Sequence, residues 1–509
     1  MKYSINKSFL LGLLVTFFSC TDLAEEPVGL LAPEAFFNTA SDVQTVIMGT
    51  YADIASEQFY GRKLVLSLQL RSDMCDIGDR NTPARRQQVN DFNMDSNNGM
   101  ITAFWPRAYR IIGTANAAIA GADIVGTEDE AVMVLKAEAT FIRAFVYYHL
   151  VRVFGDIPYI DFTIANPDDV KDIAKTPEAE VYQRIIADLE FAKANLVDAH
   201  SSGARSRATA GTAASYLASV HLTLGNDQQA YDEAKFVIDN KDRFGYGLME
   251  DFAELYDGFN ADGLAEHIFM VDFAAGLNGT SSQGTDWMGP ITGIRSVFLP
   301  NTNAGWSVSV PAFTVFETWD DRDYRKEVSF IDSAFADAEL TQPIGYEEFA
   351  PNHGSPRPHI GKYFRLAGNH RGDSGQSDNN YSAFRYAEIL LIAAEAAINL
   401  GRNDEAAGYI NQIRARARNW NGTMTDFPPD VTVAEDLTQV VREERRLELA
   451  FEYKRWYDIK RWQIGSEVFT GANSLEPHDN FDASRDYFFP LPQDELDRNA
   501  NLLPQNPGY

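Results

Sequence analysis

Apolar residues recur at steps of three and four along much of the chain, which is the pattern of helices with one buried face. The longest such stretch runs from residue 131 to residue 152. Its apolar positions are Val132, Leu135, Ala139, Ile142, Val146 and Leu150. This spacing predicts a long helix that packs along one side against the rest of the protein.

Two segments have the pattern of a helix, a tight turn and a second helix. The first pairs residues 209–224 with 228–238, and the second pairs residues 386–400 with 405–418. In both, a glycine follows the first helix and Asn-Asp precedes the second, as expected for helix ends. Small residues on these helices allow close approach, so we interpret the segments as tetratricopeptide-like repeats. The alternative is two unrelated hairpins, because no repeat period is sustained.

Long polar segments separate the helical blocks. Residues 276–311 are rich in Gly, Ser, Thr and Asn, and residues 342–378 are rich in Pro, Gly and His. Loops of this length usually have a functional reason. A short strand is predicted at 267–271. We therefore predict a mostly α fold, in which tetratricopeptide-like hairpins form a compact superhelical scaffold with long irregular loops and a few short strands.

The N-terminus has the features of a bacterial lipoprotein signal. Lys2 and Lys7 precede an apolar stretch over residues 9–18, which is too short to cross a bilayer. Ser19 and Cys20 follow directly, so we expect Cys20 to become the acylated first residue, held on the membrane by several acyl chains. The alternative is an ordinary signal peptide with an incidental cysteine. No later apolar run reaches membrane length, so we expect a water-soluble mature body.

Composition narrows the class of protein further. The chain has 509 residues and a formal net charge of −29, which disfavours binding to nucleic acid or anionic lipid. If Cys20 is acylated, Cys75 has no partner for an intrachain disulfide, and stability must come from packing. An acidic cluster at Asp22, Glu25 and Glu26 resembles the export signal of Bacteroidetes surface lipoproteins. A solvated tether is the alternative.

Three groups of motifs, in order along nearly the whole chain, resemble the SusD/RagB family of outer-membrane nutrient-binding lipoproteins. They lie at residues 105–116, 138–144 and 154–158, at residues 384–396 and 410–417, and at residues 443–462 and 505–509. The resemblance implies a lipid-anchored protein on the outer membrane that faces the cell exterior. It also implies a partnership with a TonB-dependent, SusC-like barrel, to which the protein passes an oligosaccharide. Peptides are the alternative ligand.

We divide the chain on this basis into four parts that form one globular unit. They are a lipoprotein signal peptide at 1–19, an N-terminal SusD-like helical region at 20–240, a loop-rich ligand-facing region at 241–379 and a C-terminal SusD/RagB helical region at 380–509.

A glycan site needs a flat aromatic side chain and planar polar groups, and the loop-rich region supplies both. Trp287 and Trp306 are accompanied there by Arg295 and Asn301. We predict that these residues bind ligand. The alternative is that each tryptophan fixes its loop to the scaffold. Three other tryptophans, Trp105, Trp456 and Trp462, belong to helical motifs, and we predict that they are structural.

A second candidate surface is the densely charged segment 71–86. We select Arg71, Asp73 and Asp76 from it as candidate ligand residues. Solvated surface charge is the alternative for each of them. The family motifs do not identify ligand residues, because they belong to the scaffold while binding loops vary between members.

The sequence gives little support to an enzyme. No two histidines have the spacing of a zinc site, and complete nucleotide-binding glycine motifs are absent. Glu444, Glu448 and Glu452 form a row on one helix, which Arg445 and Arg455 are placed to neutralise as an ion-pair lattice. A glycoside hydrolase would need two such carboxyls across an open cleft. We predict a binding protein without cofactor or metal.

Overall fold

The computed structural model describes residues 36–273, 286–295, 297–300, 305–349, 356–363 and 379–509, and the backbone of 370–371 and 376–377. The predicted signal peptide, Cys20, the acidic cluster after it and Asn301 lie outside the described residues.

Helices dominate the described chain, as the hydrophobic pattern predicts. They are α1 Ala40–Ile54, α2 Lys63–Leu70, α3 Ala84–Asn90, α4 Ile101–Val125, α5 Glu130–Phe154, α6 Glu178–Asn195, α7 Ala210–Thr223, α8 Asp227–Asp239, α9 Lys241–Phe244, α10 Met288–Thr292, α11 Phe313–Thr318, α12 Tyr324–Ser329, α13 Tyr386–Asn399, α14 Asn403–Ala417, α15 Leu437–Glu448, α16 Arg455–Trp462, α17 Gly465–Thr470 and α18 Gln493–Arg498.

The strands are short and occur as antiparallel pairs. In chain order they are β1 Cys75–Ile77, β2 His267–Val271, β3 Ser309–Pro311, β4 Phe330–Ile331, β5 Ser333–Phe335, β6 Pro343–Gly345, β7 His359–Ile360, β8 His370–Arg371, β9 Gln376–Ser377, β10 Tyr381–Arg385, β11 Asn419–Trp420 and β12 Thr423–Met424. The pairs are β1 with β3, β2 with β10, β4 with β7, β5 with β6, β8 with β9 and β11 with β12. The strand predicted at 267–271 is confirmed as β2.

Both predicted helical hairpins are present, as α7 with α8 and as α13 with α14. Gly225 and Gly401 end their first helices with positive φ values of 72° and 74°, the left-handed conformation that glycine adopts without strain. The helices pack in series, α4 on α5, α5 on α6, α6 on α7 and α7 on α8. Helix α8 then packs against α13, so the two hairpins predicted from sequence join in one scaffold.

One hydrophobic core extends along the chain from Phe37 to Leu502. Trp105 and Trp456 are buried in it, as predicted. Trp462 is partly buried, and its Nε1–H donates to Glu395 at 2.7 Å.

Burial raises the pKa of the Cys75 thiol to about 12, so this thiol stays protonated and unreactive at neutral pH. Within the described residues no helix is long and apolar enough to cross a membrane. The division at 240 and 379 stays a prediction.

The three glutamates of the predicted row are buried and neutralised, but by partners other than those predicted, and only Glu444 and Glu448 lie on α15, because the helix ends at Glu448 before it reaches Glu452. Glu448 accepts ion pairs from Arg325, Arg385 and Arg416, which come from distant segments. Glu444 also pairs with Arg325, at 2.6 Å. Arginines therefore surround the carboxylates of Glu444 and Glu448, while Glu452 lines a small pocket beside Tyr256 and Lys362.

The two arginines predicted as partners of that row pair elsewhere. Arg445 binds Asp458 at 3.0 Å, and Arg455 binds Asp73 at 2.7 Å. The helical spacing did place both arginines near the row in sequence. Their side chains point to α16 and to the segment after α2, because each finds a buried carboxylate there.

Candidate functional site

The structure joins the two candidate surfaces into one. Strand β1 belongs to the charged segment 71–86, and strand β3 follows the loop that carries both candidate tryptophans. Their antiparallel pairing places Cys75 opposite Pro311. An ion pair of 3.0 Å between Arg295 and Asp79 adds a side-chain link between the segments. Arg295 therefore lies at this junction, about one-third exposed.

A close backbone crossing brings the two tryptophans together. The Trp306 N–H donates to the Pro290 carbonyl, and the Gly305 N–H donates to the Ile294 carbonyl, both at 2.6 Å. A Cβ atom on Gly305 would overlap the backbone of Gly293, so only glycine allows this approach. As a result, the ring of Trp306 lies 5.6 Å from the ring of Trp287, with an interplanar angle of 39°.

Helix α10 is fixed at its start by a buried carboxylate. Asp286 accepts from the Met288 N–H at 2.8 Å and from the Gly289 N–H at 3.2 Å, and it also accepts the hydroxyl of Tyr381. A carboxylate at a helix start satisfies free N–H groups there. Asp286 therefore orients the residue between it and the helix, which is Trp287.

We call Trp287 and Trp306 the tryptophan pair. Both side chains are partly buried, and Trp306 packs against the main core. The guanidinium of Arg62 lies over the Trp287 ring at 5.0 Å from its centre. The Trp287 Nε1–H has no acceptor among the described residues. The pair thus fixes its loop to the scaffold and also leaves part of its aromatic surface exposed at the junction, while the Trp287 Nε1–H is buried.

Burial removes Arg71 and Asp73 from the candidate ligand surface. Both side chains are fully enclosed: Arg71 pairs with Asp486 at 3.0 Å and covers the Phe92 ring, and Asp73 pairs with Arg455. Their charge is already neutralised inside the protein, which argues against contact with ligand, and their assignment as ligand residues stays a prediction.

Asp76 is also engaged by protein groups. Its carboxylate accepts from Arg80 at 3.1 Å, Asn90 at 3.0 Å and Arg357 at 3.2 Å, and the residue is 7% exposed. Burial, with added repulsion from Asp76, raises the pKa of Glu476 to about 7. Asp76 therefore organises a network of polar side chains and offers little surface to a ligand.

Arg62, whose guanidinium lies over Trp287, and its neighbour Lys63 were not predicted as site residues, whereas Arg85 and Arg86 belong to the predicted charged segment 71–86 but were not selected from it. Arg62 and Lys63 begin α2, and Arg85 and Arg86 begin α3, which packs against α2. Glu57 accepts from Arg62 and lies 3.8 Å from the Lys63 ammonium. The sequence signal that could have indicated these residues is the presence of two pairs of adjacent basic residues in a chain with a net charge of −29.

A concavity lies away from the tryptophan pair. It has a volume of about 600 Å³ and is lined by residues including Arg152, Tyr457, Lys460 and Asn506. Burial lowers the pKa of Lys460 to about 7, and its ammonium donates to the Arg152 carbonyl at 2.6 Å. Among the described residues, no group of three or more His, Cys, Asp or Glu side chains is placed to hold a metal ion.

Comparison with family models gives two matches that together cover most of the chain. Residues 312–509 match the model described as the SusD family. Residues 31–222 match the model described as starch-binding associating with outer membrane.

Full-length relatives and solved structures agree with these matches. SusD-like protein P2 of Formosa agariphila is 48% identical over 516 residues, covering all of both chains. A SusD homologue from Bacteroides thetaiotaomicron superposes with a TM-score of 0.80 at 20% identity, covering 94% of this chain and 98% of that one. A laminarin-binding SusD-like protein superposes with a TM-score of 0.76 at 23% identity, covering 93% and 100%. The mostly α fold is thus the fold of these structures.

Proposed function

Because this chain belongs to the SusD family, we propose that it captures oligosaccharides at the cell surface with its tryptophan pair and passes them to a TonB-dependent outer-membrane barrel. Family membership rests on the full-length relative at 48% identity. Proteins of this family bind their ligands without catalysis, so the chain is a binding protein and not an enzyme.

The tryptophan pair is the observation that supports a glycan ligand. An indole ring offers a flat apolar face on which the C–H face of a sugar ring stacks. Two rings 5.6 Å apart and inclined at 39° suit a curved oligosaccharide better than an extended peptide, which needs backbone partners. Arg295 at the edge of the same surface supplies planar donors for sugar hydroxyls.

Moderate affinity suits a protein that must release its ligand to a transporter. Stacking and neutral hydrogen bonds each contribute little free energy, and several together give binding that remains reversible. We propose that Cys20 is acylated and anchors the protein in the outer membrane, facing the exterior. The family description of association with the outer membrane supports this part of the proposal.

Calorimetric titration of a soluble chain that begins at Thr21 tests the proposed function. The panel contains neutral and charged oligosaccharides from plant, algal and microbial polysaccharides, together with mixed peptides. We expect one glycan class to bind, and we expect Trp287→Ala and Trp306→Ala each to weaken binding about tenfold or more.

Two controls make this result specific. Trp105→Phe changes a buried tryptophan of the core and should leave the affinity unchanged, provided that the variant folds. Melting temperatures of all variants exclude unfolding as the cause of a loss. Binding of peptides alone, or glycan binding that neither tryptophan substitution affects, contradicts the proposal.

A further inference from the structure

Four basic side chains lie near one another, and one of them contacts the tryptophan pair; we call the four the cation cluster. They are Arg62, Lys63, Arg85 and Arg86. Two come from the start of α2 and two from the start of α3. Arg62 provides the link to the aromatic surface, because its guanidinium lies 5.0 Å from the Trp287 ring centre.

The cation cluster has too little negative charge around it to be neutral. Within the described part of the chain, Glu57 is the acid that forms its ion pairs, with Arg62 and Lys63. Arg86 donates to the Thr82 hydroxyl at 2.9 Å, which carries no charge. Arg85 has no carboxylate partner in the described residues and is partly exposed.

The side chains respond electrostatically to one another. Burial, together with the charges of Arg62, Arg85 and Arg86, lowers the pKa of Lys63 to about 8. Burial likewise lowers the pKa of Arg86 to about 10, with repulsion from Arg62 and Arg85. With these pKa values Lys63 and Arg86 stay mainly protonated at neutral pH, so the cluster holds excess positive charge at a cost in stability.

Unused hydrogen-bond donors accompany this excess charge. The Nε–H groups of Arg62 and Arg85 and the Nε1–H of Trp287 are buried without an acceptor in the described residues. Buried donors without acceptors destabilise a folded protein, and the described residues contain others, such as those of Arg205, Arg416 and Trp319. A sulfate or carboxylate group can take the Nε–H and one terminal N–H of a guanidinium at the same time.

The overall negative charge of the protein makes the cation cluster informative about the charge of the ligand. With a net charge of −29, the protein repels anions over most of its surface. An anionic ligand would need a local positive site to bind, whereas a neutral glycan would need none. Excess positive charge beside a sugar-stacking surface therefore distinguishes these two classes of ligand.

We propose that the oligosaccharide captured by this protein is anionic, and that the cation cluster binds a sulfate ester or uronic-acid carboxylate on a sugar next to the tryptophan pair. This inference rests on the proposed function and specifies its ligand class. Arg85 is the member that meets the anion first, because it is partly exposed and unpaired within the described structure. Glu57 limits the strength of the site by neutralising Arg62.

Affinity electrophoresis of the soluble chain tests the ligand class. The probes are carrageenan, fucoidan, ulvan, alginate and polygalacturonate, each compared with its desulfated or carboxyl-reduced form, and laminarin as a neutral glycan. We expect at least one native polysaccharide to retard the protein and its neutralised form to bind about tenfold more weakly. Whether desulfation or carboxyl reduction causes the loss identifies the anionic group.

Charge variants test whether the cation cluster is the site. Arg85→Gln should weaken binding of the anionic glycan about tenfold and should not affect its neutralised form. Glu57→Gln should strengthen anionic binding, because it frees Arg62. Arg498→Gln, which removes an exposed charge on α18, is the matched control and should have no effect.

The outcomes separate the inference from the function on which it rests. Binding of neutral glycans as tightly as anionic ones, with no effect of Arg85→Gln, overturns the inference and leaves the proposed function standing. Failure to bind any glycan overturns both. Melting temperatures of the three variants show whether a change in binding reflects a change in folding.

Discussion

Buried charge braces the fold at the scale of single residues. Glu452 accepts from the Lys362 ammonium at 2.7 Å, from the Arg385 guanidinium at 2.9 Å and from the Tyr256 hydroxyl at 2.9 Å. These donors overcome the effect of burial and lower the pKa of Glu452 to about 2. A buried charge that loses its ion-pair partner strongly destabilises the folded state.

This lowered pKa predicts a dependence of stability on pH. A carboxyl whose pKa is lower in the folded state stabilises the fold at pH values above its unfolded pKa, near 4.5. That stabilisation is lost as the pH falls from about 5 toward 2, and amounts to roughly 3 kcal/mol. Urea unfolding at pH 7, 5, 4 and 3 measures it.

Two variants make the pH test specific to this residue. Glu452→Gln should be less stable than the natural protein at pH 7 and should lose less stability on acidification. Glu254→Gln removes an exposed carboxylate, and its free energy of unfolding should depend on pH as steeply as that of the natural protein. If the free energy of unfolding falls with pH equally steeply for Glu452→Gln and for the natural protein, other groups dominate acid unfolding.

Sequence could predict that the glutamate row is neutralised, but not by which residues. The i, i+4 spacing of Glu444, Glu448 and Glu452 predicted one helix face on which like charges repel and need counter-charges, although the helix itself ends at Glu448. Arg325 lies 123 residues and Arg385 lies 63 residues before Glu448, and only the tertiary fold brings them to the row. The nearby Arg445 was the natural choice from spacing and was wrong.

The same limit explains the charged segment 71–86. Its density of polar residues suggested a ligand surface, yet Arg71 and Asp73 pair with Asp486 and Arg455 from the C-terminal region. A local pattern does not distinguish a solvated charge from one buried by a distant partner. Arg85 lies in the same segment and does remain partly exposed.

At the scale of elements, helices were predictable and loop crossings were not. Helical periodicity and glycine turns located α7, α8, α13 and α14 to within a few residues, because both signals are local. The crossing of Gly305 over Gly293 depends on contact between two loop segments. Nothing in the sequence pattern near either glycine indicates that contact.

Gly305→Ala should disrupt the glycan site without unfolding the scaffold. A Cβ atom there would overlap the Gly293 backbone and force the two segments apart. We expect Trp306 to move away from Trp287, with weaker glycan binding and a shifted tryptophan emission spectrum. Far-ultraviolet circular dichroism should stay unchanged, since the helices pack elsewhere.

Gly408→Ala is the matched control for this substitution. Gly408 lies within α14 with open space around its Cα, so alanine there should stabilise the helix by about 0.5–1 kcal/mol. Glycan binding should be unchanged. If Gly305→Ala binds glycan as well as Gly408→Ala does, the crossing does not organise the site.

At the scale of the whole molecule, the proposal concerns attachment to the membrane and delivery to a transporter. Cys20→Ala should abolish labelling by radioactive palmitate and release the protein from the outer membrane, because a single acylated cysteine holds the anchor. Membrane fractionation with and without the substitution measures this. Cys75→Ala is the control, since that thiol is buried in the described structure. Retention of the Cys20→Ala protein on the membrane would contradict lipid anchoring.

Partnership with a barrel is tested at the same scale. An affinity-tagged full-length chain, extracted from its native outer membrane in mild detergent, should purify together with a TonB-dependent barrel. Tagged Trp287→Ala should retain the barrel, because the substitution affects the glycan site and leaves the scaffold intact. Purification of the chain alone from intact membranes would contradict the transport role.

A crystal structure of the soluble chain with the best-bound oligosaccharide tests the central claim most directly. The proposal predicts a sugar ring in contact with Trp287 or Trp306, and the inference predicts an anionic group within hydrogen-bonding distance of Arg85. An oligosaccharide bound elsewhere, such as the cavity beside Lys460, with both tryptophans free of ligand, would contradict the account.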